Sequence, residues 1–355
     1  MRPDDGLNLS PVVFFRSNDI SMKYIIFTGE NKNRLFGQLM SDLKGREDVI
    51  LVPDVPHAPA SLEWLWKIHH NRTVSEKFIP PFRGIWNGCM PYKEDGLSEE
   101  CCLVFNNVSV EFFEPGLLKK WKKKYGVKLV LYMLDVRDSY YSKGARIAMK
   151  YIPFDRIYTF YQFDAEKYGF QYFDCYYSKI GMGDTALSLS VENGNTGDNC
   201  TGQELYFWGT DAGRRPMIEA AILRVRELGY TAKAGICFTD ENDSPVDGVV
   251  YNQPKEYDDV ISDVMASDVL LDIVGEYSKG VSLRYYEAFA YGKKLISNNP
   301  LVKQMRGYSP EKVLYFEDPK EINTDFFEAK NAGGYDGCFS PVNWICEMSE
   351  FFEKK

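Results

Sequence analysis

The amino-acid sequence predicts an α/β protein made of two Rossmann-like domains that face each other across a cleft. Three observations predict it. The chain has 355 residues, more than one core usually serves, so two domains are the natural division. From residue 22 onward, short β-branched and aromatic runs alternate with longer amphipathic stretches, the pattern of a parallel sheet covered by helices. Between Gly181 and Gly202 the composition turns to Gly, Asn, Ser, Thr and Asp, as in a linker, and a second series of similar size follows.

The first domain is expected over 22–190. Lys23 to Phe27 reads as a strand, Thr28 to Asn31 as a turn, and Arg34 to Leu43 as a helix with Leu35, Leu39 and Leu43 along one face. Further strands are predicted at Val49 to Val52, Cys102 to Phe105, Lys128 to Met133, Arg156 to Phe160 and Tyr172 to Tyr177. The second domain is expected over 203–335. Its predicted strands are Glu204 to Trp208, Ala234 to Phe238, Gly248 to Tyr251, Val269 to Val274, Lys294 to Ser297 and Val313 to Phe316. Helices are predicted at Arg215 to Leu228, Lys255 to Ala266 and Leu283 to Tyr291. A last amphipathic helix within 340–355, with Trp344, Ile345, Met348, Phe351 and Phe352 at helical spacing, is expected to pack back toward the first domain.

Composition narrows the function. A net charge of -9 repels nucleic acid and anionic lipid as a whole-molecule field, so any phosphate must be held by a local positive site. The 8 cysteines show no Cys-x-x-Cys and no regular spacing, and the 3 histidines are too few for a histidine-rich metal centre. Reduced thiols and a cytoplasmic location are expected. The apolar stretch Val12 to Phe15 is too short for a signal peptide, and the run around Val127 to Leu134 is of buried-strand length. No Gly-x-Gly-x-x-Gly follows the first strand, which argues against a dehydrogenase.

Two loops of the second domain suit an anion. In Trp208-Gly209-Thr210-Asp211-Ala212-Gly213-Arg214-Arg215, glycines admit close backbone approach, the next helix directs N–H groups outward, and Arg214 or Arg215 can add a charged fork. Alone, that pattern also describes a turn with solvated arginines. The second loop follows the strand ending near Val274 and carries Lys279, Gly280 and Ser282 into a helix, with Glu287 on its second turn. This order sets helix N–H groups near a diphosphate and a carboxylate near a ribose; Glu287 reads otherwise as a solvated helix residue.

Gly280, Ser282, Leu283, Arg284, Glu287, Ala288, Gly292, Lys293, Lys294, Leu295 and Ile296 resemble a stretch of the GT-B glycosyltransferases, in particular transferases of bacterial lipopolysaccharide and capsule synthesis. Tyr206 to Gly209 with Arg214, Phe154 to Phe160, and Asp164 to Phe170 extend the resemblance. It covers residues 150 to 300 well and the first hundred poorly. It implies a hexosyltransferase-type activity in surface polysaccharide synthesis, with a nucleotide-sugar donor, uridine diphosphate being the first choice of nucleotide. The acceptor is a glycan or lipid-linked sugar, and membrane association is expected through that acceptor only. Gly209, Arg214, Lys279, Gly280, Ser282, Arg284 and Glu287 are the implied donor residues. Glu287 holds the ribose hydroxyls; Arg214 and the loop from Lys279 to Ser282 face the diphosphate. Many retaining members carry a glutamate where this chain has Lys279, which leaves the stereochemistry open. No Asp-x-Asp occurs, so a reaction without metal or other cofactor is expected.

On the acceptor side, Asp135 and Asp138 follow the strand ending near Leu134 and are the candidate general bases. Equally, one of them caps the next helix and pairs with Arg137. Gly29 admits a ligand or serves a tight turn, and His57 is a minor base candidate. A nucleotide-sugar epimerase and a non-catalytic two-lobed sugar-binding protein are the rival readings.

Overall fold

A computed structural model describes residues 22–29, 35–77, 80, 82–179, 203–239, 245–275, 280–330 and 335–354. The Gly- and Asn-rich stretch at 181–202 and Lys279 lie outside the described residues.

Two six-stranded sheets carry the fold. Sheet A contains β1 (Lys23–Phe27), β2 (Val49–Val52), β3 (Cys101–Asn106), β4 (Lys128–Met133), β5 (Arg156–Thr159) and β6 (Gln171–Tyr172), in the order β2-β1-β3-β4-β5-β6. Sheet B contains β7 (Glu204–Thr210), β8 (Thr231–Cys237), β9 (Val249–Tyr251), β10 (Val269–Asp272), β11 (Lys294–Ser297) and β12 (Val313–Tyr315), in the order β12-β11-β10-β7-β8-β9. Every pairing is parallel. Strand order therefore reverses between β1 and β3 in sheet A and between β7 and β10 in sheet B. At such switch points the connecting loops part and leave a crevice at the carboxyl ends of the strands.

The central strands are apolar throughout because both faces are covered. Leu129, Leu131 and Met133 of β4 enter one core, while Val130 and Tyr132 enter the other. The first core lies under α2 (Glu63–His69), α4 (Pro115–Tyr125) and α5 (Lys143–Tyr151). The other runs on into the second domain, joining Tyr24 and Tyr132 to Tyr206, Leu270 and Tyr285. Helix α11 (Pro341–Glu353) lies on that face of sheet A. Its Trp344 ring stands 4.9 Å from Tyr132 and 5.3 Å from Tyr176, and Ser349 Oγ is 2.7 Å from the Tyr24 hydroxyl.

Differences from the sequence reading are local. The expected helix at Arg34 to Leu43 is a short α1 (Leu35–Leu39) followed by a 3-10 turn. The expected strand Tyr172 to Tyr177 pairs only as β6, after which Tyr176 and Tyr177 leave the sheet and become fully buried. Between β2 and β3 the chain adds α2, α3 (Arg72–Lys77) and a 3-10 segment (Arg83–Cys89), for which no element was expected.

Candidate functional site

The loop after β7 begins one side of the sheet B switch point. Ala212 and Gly213 both adopt left-handed backbone, φ 47 and 75, which turns the chain sharply into helix α7 (Arg215–Glu227). Asp211 Oδ1 accepts from Arg215 N at 3.0 Å and holds that turn. Gly209 lies inside β7, where a Cβ would come 3.3 Å from the Phe207 ring. Arg214 is half-buried and already engaged: its guanidinium donates to Ile273 O at 2.6 Å, to Asp211 O at 3.1 Å and to Thr210. It thus straps the β7 loop to the β10 loop. Burial lowers its pKa, and Asp272 and Asp211 offset part of that loss.

The β10 loop is tethered from the neighbouring strand. Asn298 Oδ1 accepts from Val274 N at 2.8 Å, and Asn299 Nδ2 donates to Gly280 O at 2.9 Å. Ser282 caps helix α9 (Leu283–Ala290), accepting from Arg284 N at 3.2 Å and donating to Asp272 Oδ1 at 2.6 Å. The other oxygen of Asp272 accepts from Ser297 Oγ at 2.8 Å. Asp272 is only 2% exposed, and burial raises its pKa against the lowering effect of the two serines. Sequence reasoning missed Asp272, because a strand aspartate announces its role only through Ser282 and Ser297.

Glu287 is not solvated. It is 2% exposed, with Oε2 paired to Arg284 Nη1 and Oε1 accepting from the Tyr257 hydroxyl at 3.0 Å. Tyr257, on helix α8 (Tyr257–Ala266), stands 3.1 Å from the hydroxyl of Tyr177, which belongs to the first domain. Arg284 also donates to Trp208 O. Burial lowers the basicity of Arg284, but the charge and hydrogen bond of Glu287, together with Tyr206 and Tyr257, raise it above its ordinary value. The carboxylate expected to face ribose is therefore the centre of a buried network reaching from helix α9 to the other domain.

The sheet A switch point is closed in the same manner. Asn106 Nδ2 donates to Thr28 O at 2.8 Å, and Gly29, at φ 61, lies so close that a Cβ would be 3.0 Å from Ser109 Cβ. Asp135 follows β4 and is half-buried. Burial raises its carboxyl above the usual range, an effect that neighbouring Asn107 offsets in part. Asn107 Oδ1 accepts from Leu134 N at 3.1 Å, which fixes its side chain beside Asp135. Asp138 differs. It is exposed, 2.8 Å from Arg137 and 3.2 Å from Lys167, and its bond from Tyr168 with these cations holds its pKa down. That is the ion-pair alternative from the sequence, with Lys167 and Tyr168 added.

The two domains meet at Tyr161, just after β5. A Cβ on Gly280 would lie 2.5 Å from its ring, so the ring rests directly on the β10 loop. Burial, then the charge of Asp135, raises the Tyr161 phenol pKa. Tyr161 thus joins the carboxyl edge of sheet A, where Asp135 also lies, to the β10 loop of sheet B. Among the described residues no group of His, Cys, Asp and Glu converges to hold a metal ion. No helix among them is long and apolar enough to cross a membrane.

The fold is two parallel α/β domains of six strands each. No family model matches the chain, and no curated protein matches it. Several solved structures are similar in fold. A UDP-GlcNAc 2-epimerase from Neisseria meningitidis bound to UDP-GlcNAc has a TM-score of 0.49 at 10% identity, covering 94% of this chain and 100% of the other. Spinosyn forosaminyltransferase has a TM-score of 0.46 at 10% identity, covering 93% and 99%. The glycosyltransferase VinC in complex with dTDP has a TM-score of 0.44 at 10% identity, covering 94% and 100%.

Proposed function

We propose that the chain is a glycosyltransferase that moves a sugar from a nucleotide-sugar donor, uridine diphosphate-linked in the first instance, to a glycan or lipid-linked acceptor. The observation that carries this reading is the Tyr161 ring of the first domain seated on Gly280 in the β10 loop, at the switch point of sheet B. The sugar to be transferred belongs between Asp135 and the β10 loop.

The diphosphate is assigned to the Gly280–Ser282 turn and the start of helix α9, with Lys279 and the charge of Arg214 beside it. Arg214 bonds to carbonyl oxygens and, among the described residues, to no carboxylate, so it keeps positive charge to offer at the loop edge. The ribose is assigned to Glu287, where its hydroxyls replace the Tyr257 hydroxyl, one neutral donor for another. Asp135 is the general base for an inverting reaction. A buried carboxylate with a raised pKa accepts a proton from an acceptor hydroxyl more readily than Asp138, which its ion pairs keep ionised and weakly basic. Diphosphate charge is met by cations and helix ends, and turnover is independent of metal. A role in bacterial surface polysaccharide synthesis is supported by the motif from Gly280 to Ile296.

Incubation with uridine diphosphate sugars, in chelator, with and without a glycan acceptor tests the reading. Nucleotide release that depends on acceptor is expected. Conversion of the sugar without acceptor, or activity lost in chelator and restored by magnesium, contradicts it.

A further inference from the structure

The helices over the outer face of sheet A meet solvent with an unusual surface. Helices α2, α4 and α5 and the Arg83–Cys89 segment share one apolar core against that face, so their outward sides form a single layer. Helix α2 is locked to the segment by Trp66, whose ring is 5.1 Å from Trp86, and by Trp86 Nε1 donating to His69 Nδ1 at 2.9 Å. Helix α4 packs on the same segment.

With these inner residues occupied, five large apolar side chains remain outside: Leu62, Trp64 at 62% exposure, Ile68, Phe82 at 82%, and Ile85. Apart from the adjacent Tyr140 and Tyr141, the other exposed large apolar residues among those described are scattered singly. Phe82 also holds a left-handed backbone, φ 61, which is uncommon for a bulky residue. In the same layer helix α4 carries Lys119, Lys120, Lys122, Lys123 and Lys124. Lys122 pairs with Asp155, and Lys120 and Lys124 share Glu94 at 3.8 Å. Lys119 and Lys123 have no ion-pair partner among the described residues and are exposed. A row of cations on a chain of net charge -9 is a local reversal of field.

We propose that this layer is a membrane-contact surface that docks the protein on anionic lipid bilayers. Trp64, Ile68, Phe82 and Ile85 enter the headgroup region, where aromatic and aliphatic side chains gain most, and the lysines meet lipid phosphates. Two copies joined through this face by a two-fold axis would set like-charged lysine rows together, which disfavours a dimer. The layer also adjoins the acceptor side: Arg83 donates to Glu111 O in the turn after β3, whose Ser109 lies against Gly29. Delivery of a lipid-linked acceptor to Asp135 follows if the proposed transfer is correct; the membrane contact itself does not depend on it.

Co-sedimentation of the full chain with phosphatidylcholine vesicles, and with vesicles that also contain phosphatidylglycerol, tests the proposal. Binding to the anionic vesicles at low salt, weakened by added salt and absent from neutral vesicles, is expected. At about fivefold per lysine, Lys119→Glu with Lys123→Glu should weaken binding at least tenfold. Trp64→Ser with Phe82→Ser should weaken it as well. If the apolar variant loses its thermal transition, the lysine variant decides, since it removes no packed side chain. Undiminished binding by the lysine variant, no binding by the wild type, or a dimer in sedimentation that the apolar variant dissolves would each overturn the proposal.

Discussion

Tyr161 rests on Gly280 so closely that a Cβ at that glycine would lie 2.5 Å from the ring. The contact joins the carboxyl edges of two sheets that share no strand, and makes Gly280 a residue defined by the opposite domain. Gly280→Ala should therefore destabilise the chain by about 1–3 kcal/mol, the usual cost of forcing a methyl group into a filled site. In the Tyr161→Ser background the same substitution should cost little, so the double variant loses less than the sum of the two single losses. Denaturant unfolding of the single and double variants measures it, and additive losses would show that the contact is not what constrains Gly280.

Glu287→Gln separates two roles for that residue. A ribose ligand alone predicts weaker nucleotide binding and an unchanged ligand-free fold. The buried pair with Arg284 predicts in addition a loss of stability of roughly 3–5 kcal/mol, because the guanidinium is left without its counter-charge. Tyr257→Phe should cost only about 1 kcal/mol and leave nucleotide affinity intact or higher, since it vacates the oxygen assigned to ribose. Unfolding curves without ligand and titrations with uridine diphosphate distinguish these outcomes.

Arg214→Ala should loosen the two loops of the sheet B switch point, because Ile273 O, Asp211 O and Thr210 O all lose a donor. A loss of about 1–3 kcal/mol is expected from stranded acceptors. Nucleoside diphosphate affinity should fall more than nucleoside affinity. Equal falls would leave the strap as the residue's whole role.

Asp135 sets the expected pH dependence. Its folded-state pKa is raised by burial, so the native state holds this proton to higher pH than the unfolded chain does. Its contribution to stability is fully present below the unfolded value and is lost as pH rises through the folded one. Activity runs oppositely, rising through the folded pKa as the base ionises. Asp135→Asn should abolish this acidic limb and nearly all turnover while raising stability at neutral pH. Asp138→Asn should keep the limb, since that carboxylate faces Arg137 and Lys167 at the surface.

The sheets were legible in the sequence because each central strand is a short apolar run, as in Lys128–Met133, whose two faces fill separate cores. The crossover between β2 and β3 was not legible. Neither α2 nor the Arg83–Cys89 segment has a side-chain cap, and both are held by contacts such as Trp66 with Trp86 that no local pattern reports. The donor loop was read from its glycines and Ser282, yet the role of Gly280 depends on Tyr161, and Asp272 acts through Ser282 and Ser297. Glu287 was placed on the correct helix, but its burial follows from Tyr257 on a different helix.

In the proposed reaction a nucleoside diphosphate is held where the β7 and β10 loops meet. Hydrogen–deuterium exchange of the full chain with and without uridine diphosphate tests it directly, because bound ligand suppresses local opening where it binds. Slowed exchange is expected in peptides covering Gly209–Arg215 and Gly280–Arg284, with those covering Trp64–Ile68 unchanged. Protection confined to other segments, or none at saturating nucleotide, would contradict it.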